Sequence, residues 1–290
     1  MTTFNERVDI ALGVVGRLVA FGVATVGVVF VAGIALKPVF PDGMPAGTDG
    51  RVLLSLIITF ALVVAHVLVV AILERAEWAL SGFHLEAWRP IGLATGLATG
   101  AVAVLVPGTL LFWAGQLTST STPAGAWWPF ALGALGVLAV LAAVEELIFR
   151  GYLFGLLLDR WGRGTALAVS SLTFAGLHLF NPGATPIALL CVAVAGLFLG
   201  AVRLATGSVV SVWLAHLAIN WIQVVVFRLP VSGAELAVPP GFRMESAGAA
   251  WLTGGDWGLE GGVAIAVALL LITFVLLGAP MPTAGSARRR

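Results

Sequence analysis

The chain has 290 residues, of which 60% are hydrophobic and only 10% charged, with a mean hydropathy of +1.06 and a formal net charge of +1. A soluble domain carries about 25% charged residues, so this composition excludes a soluble globule, and the near-neutral charge argues against a nucleic-acid partner. The single cysteine, Cys191, lies in an apolar run and excludes a disulfide within the chain.

Runs of about 20 apolar residues are long enough to cross a bilayer. They fall at about 10–36, 52–73, 91–114, 127–158, 165–180, 186–203, 208–227 and 262–278. The expected fold is therefore all-α, a polytopic membrane protein of about eight transmembrane helices in a single integral membrane domain, 1–290. The first run is longer than a signal-peptide core of about 7–15 residues and reads as a signal anchor, with Arg17 snorkelling to the near interface. Pro38 to Gly50 is a turn region. The 73–90 stretch, with Glu74, Arg75, Glu77, His84, Glu86 and Arg89, reads as a solvated interfacial or loop segment. His66 stands alone in the second run and reads as structural.

The fourth run contains Glu145, Glu146 and Arg150. Ionisable groups at membrane depth are costly and mark function. On a helix Glu146 and Arg150 are i,i+4 neighbours that can pair, while Glu145 lies about 100° around the axis and is left for another partner. Phe174 and His178 repeat the i,i+4 spacing in the fifth run, and His216 and Asn220 repeat it in the seventh. At about 1.5 Å per residue, Glu145 lies about 21 Å from Asp159, and His178, His216 and Asn220 lie about 20, 12 and 18 Å from the ends of their own runs. Those depths would bring the groups to one level, in a catalytic cavity among helices 4, 5 and 7.

After Ser119 to Gly125 and Asn181 to Pro186, which read as turns, the 229–261 stretch is a long loop with Pro239-Pro240 and Gly254-Gly255 and no assigned role. Basic residues give orientation. With the N-terminus inside, Arg7, Arg75, Arg89, Arg160, Arg163, Arg203, Arg288, Arg289 and Arg290 are cytoplasmic, against Lys37, Arg51, Arg228 and Arg243 outside. Both termini are expected in the cytoplasm, and Trp113, Trp127, Trp128 and Trp161 lie at span ends as interfacial aromatics.

The three motifs in this order, EExxxR at Glu145–Arg150, FxxxH at Phe174–His178 and HxxxN at His216–Asn220, resemble those of the CPBP family of CAAX-processing and bacteriocin-processing intramembrane glutamic endopeptidases, also called Abi proteins. The similar region runs from about 127 to 227. The resemblance implies a metal-independent endopeptidase without cofactor. In it Glu145 and His178 activate water, His216 and Asn220 form the oxyanion hole, and Glu146, Arg150 and Phe174 support them. The chemistry of the residues agrees, since proteolysis needs a base, a water and oxyanion donors.

The same groups also fit a zinc protease, because two His and a Glu plus water make a catalytic zinc set, although no HExxH is present. A proton-coupled transporter cycling a proton on Glu145, or an immunity scaffold without proteolysis, are readings from other classes. Fourteen arginines against one lysine point to a GC-rich bacterial genome, where a prenylated protein is not an expected target. The expected partners are the lipid bilayer and a membrane-associated peptide or protein substrate, and the expected location is the inner (plasma) membrane.

Overall fold

The computed structural model describes residues 4–41, 43, 45, 47–75 and 77–278. The Arg288-Arg289-Arg290 tail and the side chain of Arg7, used above for orientation, lie outside the described residues. The long helices are α1 (Phe4–Leu36), α2 (Gly47–Ile72), α3 (Pro90–Trp113), α4 (Trp127–Phe149), α5 (Tyr152–Leu177), α6 (Pro186–Thr206) and α7 (Val209–Trp221). A one-turn α8 (Ala250–Thr253) precedes α9 (Val263–Gly278). The architecture is all-α and polytopic, as the apolar runs require.

Among the described residues, six helical stretches are long and apolar enough to cross a membrane, and the fourth of them, Trp127–Phe180, covers 54 residues. That length would be about 81 Å of continuous helix against a hydrocarbon core of about 30 Å. It is not continuous. The chain breaks at Arg150-Gly151 into α4 and α5, which pack on each other, and α5 kinks again at Gly162. The expected spans 127–158 and 165–180 are therefore redrawn: the fourth helix ends at Phe149, and the depth of Glu145 cannot be counted along a helix to Asp159. At α9 the apolar helix has 16 residues, about 24 Å long.

Tertiary hydrogen bonds, and no proline, make the break. His66 Nδ1 bonds the Leu62 carbonyl at 2.7 Å, which leaves Nε2 to accept the Tyr152 N–H at 3.0 Å. An unpaired first-turn N–H of α5 is thus capped by a histidine from α2. Gly151 permits this approach, since a Cβ there would overlap the His66 ring. On the other side of the break, Arg203 Nε donates to the Arg150 carbonyl at 3.1 Å. Arg203 also donates to the carbonyls of Ala79 and Leu80, so a buried guanidinium gathers three orphan carbonyls. Replacing His66 by Ala is expected to leave the buried Tyr152 N–H unpaired and to cost about 1–3 kcal/mol of stability, read as a fall in the thermal unfolding temperature of the solubilised protein.

Two expectations about charge change here. Arg17 does not simply snorkel: its Nε pairs with Glu74 at 2.8 Å, and Tyr152 donates its hydroxyl to the same carboxylate at 2.5 Å. The 73–90 stretch is consequently not just a solvated face, because Glu74 and Ser81 are buried. In the same stretch burial, reinforced by the nearby Arg203 charge, lowers the His84 pKa below the usual histidine value.

α3 and α7 are in close contact because Gly96 and Gly100 admit the backbone of Ser211 and Ala215, where any Cβ would clash. α4 and α7 run antiparallel: Trp221 Nε1 donates to the Ala131 carbonyl at 3.0 Å and Trp213 Nε1 to Ala139 at 2.8 Å. Beyond Trp221 the chain continues as a π-helical turn, Ile222–Val226. At this end of the bundle two strands absent from the sequence reading pair antiparallel, β1 (Leu117–Ser121) and β2 (Phe242–Ser246). The 229–261 stretch is therefore ordered by a partner some 125 residues earlier in the chain.

Candidate active site

Glu146 and Arg150 form the i,i+4 pair that their spacing predicts. Arg150 Nη1 lies 3.3 Å from Glu146 Oε1, with the two side chains 0% and 1% exposed. Arg150 Nη2 donates to the Gly196 carbonyl of α6 at 3.1 Å, and the guanidinium lies 4.3 Å over the Phe174 ring. A buried cation is thus held by a carboxylate, a carbonyl and an aromatic face, each of which offsets part of its lost hydration.

Glu146 has a second partner that the sequence did not suggest. His216 Nδ1 donates to Glu146 Oε1 at 2.7 Å, so one carboxylate oxygen bridges α4 and α7. This bond fixes the imidazole and turns Nε2 toward Glu145, whose Oε2 lies 4.0 Å away. Glu145 itself is a third exposed (33%), yet Oε2 is buried and accepts no hydrogen bond among the described residues. One carboxylate is held twice, and its neighbour is open on one side.

Phe174 stands between the other groups. Its ring centroid is 4.7 Å from that of His178, 6.0 Å from that of His216 and 5.4 Å from that of Phe149. His178 ends α5, and its Nδ1 bonds the Phe174 carbonyl at 2.8 Å, which leaves Nε2 free of hydrogen bonds among the described residues. Asn220, one turn beyond His216, is half-buried with its amide likewise unengaged. The fold therefore brings Glu145, Glu146, Arg150, Phe174 and His216 into contact, with His178 reaching the group through Phe174. No hydrogen bond or ion pair joins His178 or Asn220 to Glu145.

Further residues tie this region down. Asn181, three residues after His178, donates to the Ser232 carbonyl at 3.2 Å, and Ser232 donates its backbone N–H and its hydroxyl to Glu260. Gln223, three residues after Asn220, accepts the Glu260 N–H and donates to the Pro230 carbonyl. The loop is thus fastened to the ends of the two helices that carry His178 and Asn220. Burial raises the Glu260 carboxyl above the usual carboxylate range. Sequence reading missed this fastening because its polar residues lie in irregular segments with no periodic signal. It also used Arg203 only as a topological charge, although an arginine inside an apolar run was itself a signal.

Among the described residues, no three His, Cys, Asp or Glu side chains form a metal-binding group. A cavity of about 440 Å³ opens at the end of the bundle where α4 begins and α7 finishes, between Phe130, Val224 and β2. None of Glu145, His178, His216 or Asn220 lines it, so it is not the cavity expected among helices 4, 5 and 7.

Fold and site together define a multi-pass membrane protein with a charged, partly buried Glu/His cluster on packed helices. Residues 126–222 match the family model described as type II CAAX prenyl endopeptidase Rce1-like. This is the CAAX-protease family that the three motifs resemble, and the matched segment, about a third of the chain, contains all of them. The match indicates a CAAX-type intramembrane protease, a hydrolase acting on a membrane-associated protein. Comparison with curated proteins and with solved structures gives no match.

Proposed function

We propose that the protein is a metal-independent intramembrane glutamic endopeptidase in which Glu145 is the general base. The observation that carries the reading is the division of labour between adjacent carboxylates: Oε1 of the buried Glu146 is occupied by Arg150 and His216, while Glu145, a third exposed, makes no hydrogen bond among the described residues; the Oε2 of each is buried without a partner there. Glu145 takes a proton from water as that water attacks the scissile carbonyl. His178, with Nε2 unengaged, orients the water and passes the proton to the leaving amine. His216 Nε2 and the Asn220 amide donate to the oxyanion one helical turn apart. Because the Nδ1 proton of His216 is directed at Glu146, Nε2 donates only when the ring carries both protons.

In this reading Glu146 and Arg150 are positioning residues. The bridge through Glu146 Oε1 sets the His216 ring, as a second carboxylate does for many catalytic histidines. The zinc alternative, with Glu145 or Glu146 beside His178 and His216, is less well supported, since among the described residues no three His, Cys, Asp or Glu side chains stand close enough to hold one metal ion. The protein would act as one membrane domain with the site in 127–227, crossing the bilayer eight times in the inner (plasma) membrane with both termini cytoplasmic. Its substrate would be a membrane-associated peptide or short membrane-anchored segment.

The test is cleavage of a membrane-peptide library by the purified protein in liposomes, with and without chelator. Cleavage that persists after metal removal is expected. Activity lost to the chelator and restored by zinc would sink the metal-independent mechanism, and solute or proton movement without cleavage would favour a transporter.

A further inference from the structure

The cavity at the α4/α7 end has an unusual wall. Four successive residues of β2, Arg243, Met244, Glu245 and Ser246, line it, and no residue of β1 does. Successive side chains of a strand point to opposite faces. Four in a row therefore reach one cavity only if the strand presents its backbone edge.

The hydrogen-bond register agrees. Thr122 N–H bonds the Gly241 carbonyl at 3.2 Å and Ala247 N–H bonds the Gln116 carbonyl at 2.9 Å, at the two ends of the ladder. With the register Thr120 to Arg243 and Thr118 to Glu245 between them, residues 241, 243, 245 and 247 bond β1. Residues 242, 244 and 246 turn their N–H and C=O groups the other way. Arg228 reaches the Phe242 carbonyl from that side at 3.2 Å, and the backbone groups of Met244 and Ser246 have no partner on that side among the described residues.

Charge around this edge is acidic on balance. Two cations, Arg228 and Arg243, line the cavity against three carboxylates, Glu235, Glu245 and Asp256; Arg228 is engaged by the carbonyls of Pro240 and Phe242 and lies 3.9 Å over the Phe242 ring. Arg243 pairs with two carboxylates, Glu235 at 3.7 Å and Glu245 at 2.9 Å, and the exposed Asp256 lines the same cavity. Arg243, followed by Thr120, holds the Glu245 carboxyl below its ordinary value, so it stays ionised. Val224, on the cavity wall, is four residues beyond Asn220, about 6 Å along the helix.

We infer that the free edge of β2 is a docking strand for an extended peptide carrying basic side chains, which adds as a third strand in the cavity. The name of the occupant, the flank of a membrane-anchored substrate, rests on the proteolytic reading; the peptide-binding edge does not. A third strand would satisfy the open groups of Met244 and Ser246, place alternate side chains against Glu235 and Asp256, and run toward Asn220. A two-stranded ribbon is by itself a marginal structure that gains from such an addition.

The test uses the full chain with Glu145→Gln, to prevent turnover, in phosphatidylcholine nanodiscs that carry no net charge. Three labelled octapeptides are compared: alternating Thr and Lys, the same peptide N-methylated at alternate residues, and alternating Thr and Glu. The first is expected to bind saturably and to slow amide exchange at Met244 and Ser246, with the other two about tenfold weaker. Met244→Pro removes a donor on the free edge and spares the β1 ladder, so it is expected to weaken binding by a similar factor.

If that variant fails to fold, amide exchange in the chain with an intact edge decides. Equal binding of the N-methylated peptide, no binding of the Thr-Lys peptide, or unchanged exchange over 242–246 would overturn the inference. Protection of β2 with no cleavage by the unsubstituted chain would sink the proteolytic reading and keep the docking edge. Cleavage without protection of β2 would do the reverse.

Discussion

Replacing Glu145 by Gln is expected to slow peptide cleavage by about two to three orders of magnitude while leaving the fold intact. The amide keeps the size of the side chain and can still orient a water, but it cannot take the proton. The small structural cost follows from the position of the residue. Glu145 is a third exposed and makes no hydrogen bond among the described residues, so the substitution breaks none; it removes a charge that acts on Arg150 and on His216, whose Nε2 lies 4.0 Å away. The measurement is single-turnover cleavage in liposomes beside thermal unfolding of the same preparation. Full activity of the variant would remove Glu145 from the role of base, whatever the fate of the substrate assignment.

Replacing Arg150 by Ala is expected to do the opposite, destabilising the fold first and activity through it. Arg150 is fully buried, and three neighbours depend on it: Glu146, the Gly196 carbonyl and the Phe174 ring. Its loss leaves a buried carboxylate with His216 alone, at a cost of about 3–5 kcal/mol if the pair is as desolvated as its exposure indicates. Unfolding temperature and detergent-resistant yield report the first effect. The second appears in activity at a temperature where the variant is still folded, because Glu146 and hence the His216 ring would be less firmly placed. An Arg150→Ala protein of unchanged stability would make the pair incidental. The contrast between the two variants separates a group that reacts from a group that positions.

The EExxxR, FxxxH and HxxxN spacings were legible because they sit on regular helices, where an i,i+4 separation is a distance. From this came the Glu146–Arg150 pair and the contact of Phe174 with His178; the membrane class came from composition and the length of the apolar runs. Contacts between helices carry no such period. Nothing in the sequence joins His216 to Glu146 across 70 residues, or His66 to the N–H of Tyr152 across 86.

The helix break at Arg150-Gly151 is the clearest case. A lone glycine in an apolar run is tolerated within helices, and the chain turns here because His66 and Arg203 take up the backbone groups that the turn sets free. The strand β2 is another, since a five-residue segment becomes a strand only beside its distant partner β1. Composition and helical spacing by themselves determined that the chain is a membrane-embedded helical protein and which side chains share a helix face. Only the tertiary structure decided that the paired carboxylate also holds His216 and that its neighbour stays a third exposed, because that depends on the neighbours that packing brings to each oxygen.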